Sequence, residues 1–196
     1  LRALASSPSV IENGMHLFEP PTAYLAAIQQ PTGSRFGADA MYQGTNRKYG
    51  AMLSYFVNPP SKKDEDAAKD KDDKDDKEED KAEKKENKKD SLTLMVYDRD
   101  RLIRTLKKKV PKEKGIHRWY WNMDEKGVSR PRRKPSKSKR EPSGVEVKPG
   151  TYRLVLSFGG EQSEQAIEVK SDPRLTVDPV SIDSVYAASK ELEGYT

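Results

Sequence analysis

The stretch Pro149-Gly150-Thr151-Tyr152-Arg153-Leu154-Val155-Leu156-Ser157-Phe158-Gly159-Gly160-Glu161-Gln162-Ser163-Glu164-Gln165-Ala166-Ile167-Glu168-Val169-Lys170 decides the fold class. A Pro-Gly turn opens it, and Tyr152, Leu154, Leu156 and Phe158 recur at period two on one face. Gly159-Gly160 supplies the turn, and Ala166, Ile167 and Val169 are the apolar positions of a second run. Alternation, turn glycines and polar residues on the opposite face together describe a β-hairpin. The hairpin carries no reactive group, so it speaks for a scaffold and not for a chemistry.

Working outward, other strands follow. Tyr49–Val57 (Tyr-Gly-Ala-Met-Leu-Ser-Tyr-Phe-Val) is apolar on both faces and reads as a central strand, with Gly50 marking a bulge or a close backbone approach. Leu92–Tyr97, a turn at Asp98–Arg101 and a return through Leu102–Leu106 read as a second hairpin. Tyr49–Val57 and Leu92–Tyr97 are expected to be neighbours, with the intervening residues inserted at a hairpin tip; loop closure entropy grows only logarithmically, so such an insert costs little. Gly115–Met123 places Trp119, Trp121 and Met123 on one face, which favours core packing; the alternative is a platform on which sugar rings stack. Met15–Phe18 reads as an edge strand stopped by Pro20-Pro21, and Thr22–Gln30 as a short helix capped by Thr22 and ended by Pro31. A C-terminal helix is expected from Ser181, with Val185, Ala188 and Leu192 on one face and no partner to pack against.

Composition explains the rest. The chain of 196 residues is 33% hydrophobic and 35% charged, with a mean hydropathy of −0.97. That is a globular portion diluted by polar sequence. Ser61–Asp90 holds 11 Lys and 14 Asp or Glu, and reads as a disordered tether with some helix in Lys81–Lys89. Its Asp spacing lacks the mid-loop Gly and terminal Glu of a calcium loop. Residues 126–148 carry nine Lys or Arg against Glu141 and Glu146, and account for more than the whole net charge of +5. One basic loop, and not a basic fold, therefore raises the isoelectric point to about 9.1. Within it, Arg130, Arg132, Arg133 and Lys134 could face a polyanion, although no interleaved aromatics favour nucleic acid, which is not an expected partner.

Cysteine is absent, which excludes disulfides, thiolate metal sites and a Cys nucleophile, and suits both the cytoplasm and exported bacterial proteins. No apolar run approaches the roughly 20 residues of a membrane helix. The absence of an initiator Met suggests a piece of something larger. His16 and His117 are the only histidines, both beside apolar runs and read as structural. No nucleophile elbow, zinc-protease motif, phosphate loop or carboxylate pair is present, so no catalytic residue, cofactor or metal site is expected.

In order, Gly14–Tyr24, Tyr49–Phe56, Val96-Tyr97-Asp98, Ile103–Leu106, Gly115–Met123, Pro149–Tyr152 and Asp172-Pro173-Arg174 form a series. It resembles the C-terminal region of large exported bacterial proteins with sortilin-type or BNR-repeat β-propellers, often labelled glycosyl hydrolases. The resemblance implies an all-β immunoglobulin or fibronectin type III-like sandwich over residues 49–172, with residues 1–48 docked on it and 173–196 a linker and helix. It also implies an exported location (periplasm, cell surface or secreted) and a β-propeller partner. The hydrolase label would belong to the propeller, so no catalytic residue carries over and the chain reads as a non-catalytic accessory domain. The charged insert 61–90 and the basic loop 126–148 depart from the family pattern. Two alternatives stand beside this reading: a carbohydrate-binding module using Tyr42, Tyr55 or Trp119, and a polyanion-binding module using Arg130–Arg140.

Overall fold

The computed structural model describes residues 10, 14–26, 48–59, 91–129, 133 and 140–195. The expectations for the insert 61–90 and for Tyr42, Arg130, Arg132 and Lys134 lie outside the described residues. The described chain is mostly strands in sheets, with one helix at its C-terminal end. In chain order the strands are β1 (Met15–Leu17), β2 (Ala23–Leu25), β3 (Ala51–Val57), β4 (Ser91–Asp98) and β5 (Arg101–Lys109). They continue with β6 (Gly115–Trp121), β7 (Asp124–Lys126), β8 (Ser143–Glu146), β9 (Gly150–Phe158) and β10 (Glu161–Ser171). The helix α1 spans Pro179–Gly194.

A three-stranded sheet runs β1-β3-β6, a five-stranded sheet β2-β10-β9-β4-β5, and β7 pairs with β8 alone. The hairpin quoted above is β9-β10, in register from Glu161↔Phe158 to Val169↔Gly150. Its two turn residues both have positive φ, Gly159 at 59° and Gly160 at 96°. Side chains rarely adopt that pair of conformations, and it matches the twist of antiparallel strands. Tyr152, Leu154 and Leu156 are buried at period two, as are Ile167 and Val169 opposite them, while Ala166 faces solvent.

One buried cluster draws on both large sheets: Leu53, Tyr55 and Trp121 from the first, Leu94, Leu154 and Ile167 from the second. Ser163 on β10 accepts a hydrogen bond from the Leu17 N–H at 2.9 Å, tying the sheets together beside β1. Trp121 is fully buried; its ring meets Tyr152 edge-on at 5.6 Å and its Nε1 donates to the Asp124 carbonyl at 3.0 Å.

Four expectations are corrected. First, β3 and β4 are not paired: both edges of β3 are taken by β1 and β6, while β4 lies between β5 and β9. The strands on either side of the charged insert thus lie in different sheets and do not form one hairpin. Second, Ala23–Leu25 is a strand and not part of a helix. The preceding prolines favour extended backbone, and β10 offers a free edge with which β2 pairs in parallel from Val169↔Ala23. Third, the N-terminal segment does more than dock. It supplies one edge strand to each large sheet, so the sheets take in residues ahead of Tyr49, and Val10 is buried as well. Fourth, the basic loop is not irregular from end to end, because β7 and β8 pair across its base.

Gly50 precedes β3 with φ +111°, and a Cβ there would lie 2.6 Å from the Trp121 carbonyl oxygen. The close approach expected from the sequence is therefore real. Gly50→Ala should lower stability by about 2 kcal/mol through backbone strain and this clash. Urea unfolding of the variant checks it, and an unchanged midpoint would contradict the account.

Candidate functional site

The features most unlike ordinary scaffold gather where α1 meets β7 and β8. Asp172-Pro173-Arg174 ends β10 and sets up this meeting. The Arg174 guanidinium reaches both Asp172 carboxylate oxygens, at 2.5–3.0 Å, and the Arg174 N–H adds a bond at 2.9 Å. These contacts hold the Asp172 carboxyl down at about 2, so it stays charged throughout neutral and mildly acid conditions. Asp178 then caps the helix: its side chain accepts from the Val180 N–H at 3.3 Å, and Pro179 fills the first turn. The helix thus begins two residues before the expected Ser181.

Val185, Ala188 and Leu192 share one apolar face in the sequence pattern, and apolar faces ordinarily turn inward. Here the helix is inverted. Val180 and Val185 are each 67% exposed, Leu192 68%, and no residue of α1 is buried. The bonds it makes to the strands are polar. Glu125 on β7, itself buried, accepts from Tyr186 Oη at 2.6 Å and Lys190 Nζ at 2.8 Å. Arg101 on β5 completes the set, with Nη2 at 2.7 Å and Nη1 at 3.2 Å from the Glu125 oxygens. Glu193 accepts from the Val145 N–H of β8 at 3.1 Å, and Lys148 pairs with Asp183 at 2.9 Å.

Burial pushes the Glu125 carboxyl up, but hydrogen bonds from Lys190, Tyr186 and Arg101 outweigh it and hold the group below its ordinary 4.5. For Tyr186, burial and the Glu125 carboxylate both push the hydroxyl up, so it remains a neutral donor. A carboxylate with four donors and a lowered affinity for protons is a poor general base. The cluster is a latch that fixes a helix.

Beneath it, Arg104 is buried on β5 and gathers the base of the 126–142 loop. Its guanidinium donates to the carbonyls of Glu125, Pro142 and Glu141 and lies 3.4 Å from the Asp124 carboxylate. Met123, with φ 57°, provides the bend that turns Asp124 and Glu125 inward after β6.

Between α1, the 172–177 segment and β8 lies an open groove of about 900 Å³. Its apolar lining includes Leu25, Val128, Leu175, Val177, Ile182 and Val185. Leu175 is 62% exposed and Val177 43%.

Of the site residues singled out in the sequence, Arg133 and Trp119 are among the described residues, and neither lines the groove; Arg133 is exposed. Trp119 is half-buried against the core, with Lys108 Nζ 5.8 Å from its ring centre. Tyr55, expected among exposed aromatics, is instead buried between the sheets at 1% exposure, and its hydroxyl has no hydrogen-bond partner. Because Trp121 is also fully buried, the two indoles present no shared exposed platform for sugar rings.

His117 Nε2 sits 3.0 Å from the Glu113 carbonyl, and His16 packs edge-on against Phe18 at 5.0 Å. Among the described residues, no group of three or more His, Asp or Glu is placed to hold a metal ion, and no helix is long and apolar enough to cross a membrane. Comparison with family models, curated proteins and solved structures finds no match to this chain.

Proposed function

We propose that the chain is a non-catalytic accessory module, an immunoglobulin or fibronectin type III-like β-sandwich, that packs against a β-propeller unit of a larger exported bacterial protein. One observation carries the proposal: α1 is turned inside out. Its polar side chains are spent on the latch, while Ile182, Val185 and Leu192 join Leu175 and Val177 around an open apolar groove. Exposing this many apolar side chains together is unfavourable for an isolated molecule, and such patches mark surfaces that other proteins cover. The occupant is named by the ordered motifs that resemble the C-terminal region of exported propeller proteins. The latch supports a packing role, since it holds α1 in one orientation before any partner arrives, which lowers the ordering cost of association.

The reading frame upstream of Leu1 is expected to encode propeller repeats. Adding that propeller in trans should protect amides of Leu175–Ser189 from hydrogen exchange. Val185→Asp with Leu175→Asp should abolish the protection while leaving the fold intact, because both sites are exposed and surface changes cost within about 0.5 kcal/mol. An upstream frame without propeller repeats, or a propeller that protects nothing in this segment, would sink the proposal.

A further inference from the structure

The opposite end of β5 from Arg101 presents a second surface that the packing role does not use. Among the described residues β5 is the last strand of the five-stranded sheet, with no strand paired on its other hydrogen-bonding edge. The Thr105 N–H shows which way that edge faces: it donates to the Glu141 carboxylate at 2.8 Å, away from β4. Along an antiparallel strand, backbone groups alternate between the paired and the free side. Thr105, Lys107 and Lys109 pair across from Met95, Thr93 and Ser91 without a shift in register, so the N–H and C=O groups of Lys107 and Lys109 also point outward.

Charge accumulates on the same edge. Lys107, Lys108, Lys109, Lys112, Lys114 and Arg118 are all exposed, and Glu113 is the only acidic residue between Thr105 and Arg118. None of these six cations forms an ion pair among the described residues. Lys108 Nζ reaches the Arg118 carbonyl at 3.3 Å, which joins the β5 and β6 cations into one surface. Lysines on an edge strand discourage a second copy from pairing there, since two such edges repel. The same charges would attract an edge partner of opposite sign, and Glu141 shows that a carboxylate can already be seated on one of these outward N–H groups.

We infer that the Lys107–Lys109 edge, beyond the Thr105 N–H that Glu141 already occupies, accepts an extended acidic peptide segment as an added strand. The outward N–H and C=O groups of Lys107 and Lys109 would extend the ladder, and the lysines would pair with Asp or Glu at alternate positions. Trp119 cannot serve as an open stacking face beneath a sugar or base, because Lys108 lies over its ring. That favours a peptide over a glycan or a nucleic acid.

The probe is a fluorescent synthetic peptide alternating Glu and Val, with one alternating Lys and Val as control, titrated against the full chain. The acidic peptide should bind and the basic one should not. Lys107→Ala removes one charge but keeps the outward N–H, whereas Lys107→Pro removes both without touching the β4 ladder. The Pro variant should bind about tenfold more weakly than the Ala variant, which is the effect of losing one backbone bond near a charged site. Thermal unfolding confirms that both variants fold; independently, the Lys107 and Lys109 amides of the unaltered chain should show the largest chemical-shift changes on peptide addition. Equal binding by the two folded variants with unmoved amide signals would overturn the inference. So would tighter binding of a heparin fragment or a DNA duplex than of the peptide, or peptide-independent self-association. None of these outcomes involves the α1 groove, so they leave the packing proposal standing.

Discussion

Trp121→Ala should lower the stability of the chain by about 3–5 kcal/mol, as measured by urea unfolding followed by circular dichroism. The indole is the largest fully buried side chain, at 0% exposure, and stands in the cluster shared by both large sheets. Truncation removes its apolar burial and its edge-on contact with Tyr152, and leaves a cavity that paired strands on both sides cannot collapse to fill. It also leaves the Asp124 carbonyl without the indole N–H that satisfies it at 3.0 Å. Against a typical domain stability of about 5–15 kcal/mol, this is a loss of about a fifth or more. Trp121→Phe should restore much of the burial but not the hydrogen bond, and fall between the two. Because the Trp121–Asp124 bond helps fix the bend that aims Glu125, the Ala variant should also speed amide exchange in α1. A Trp121→Ala variant within about 1 kcal/mol of the unaltered chain would show that the core does not depend on this residue.

The elements legible in the sequence are those whose pattern is local. The β9-β10 hairpin follows from period-two apolar residues and a Gly-Gly turn, and β4-β5 from the same logic around Asp98–Arg101. Trp121 in the core and the close approach at Gly50 were also readable, since each follows from residue size and strand alternation. What escaped the sequence is what depends on distant partners. Thr-Ala-Tyr-Leu-Ala-Ala has good helix formers, yet Ala23–Leu25 is a strand because an edge of β10, 146 residues away at Val169, is free to pair with it. Neighbourhood in sequence suggested that β3 pairs with β4, and the competition of β1 and β6 for the edges of β3 decided otherwise.

The site was hidden for the same reason. Arg101, Glu125, Tyr186 and Lys190 converge from three separate elements, and no spacing rule links them. A partial signal existed: Tyr186 and Lys190 are four apart, so they share one helix face. The hydrophobic pattern puts Val185, Ala188 and Leu192 on one face with no partner to pack against. A buried carboxylate on β7 supplies a partner to the polar side, a reversal of the usual rule that the apolar face turns inward, since leaving Glu125 unpaired would cost more than exposing two valines.

That reversal sets up the last expectation, the release of α1 when Glu125 is altered. Removing one partner of a buried ion pair costs about 3–5 kcal/mol, because the desolvated charges that remain have no counterpart. Here the partners are more open, with the Arg101 side chain 52% exposed and Lys190 30%, against 6% for Glu125. Water can therefore screen the two cations, and the loss for Glu125→Ala should be nearer 2–3 kcal/mol. The helix buries no residue of its own, so little else holds it. Amides of Val180–Leu192 should lose most of their protection in hydrogen exchange, while those of β9 and β10 keep theirs. Acid should reproduce the effect in the unaltered chain. The folded-state affinity of Glu125 for protons is depressed, so its contribution is fully present above the ordinary carboxylate value of 4.5 and is lost as pH falls through the lower folded value. Exchange in α1 should accordingly be flat from neutral pH down to about 5 and rise steeply below about 4, after correction for the intrinsic pH dependence of exchange. In Glu125→Ala the step should vanish. A helix that stays protected in the variant, or an acid step that survives the substitution, would mean that the remaining contacts, Glu193 with Val145 and Lys148 with Asp183, are sufficient to hold α1 in place.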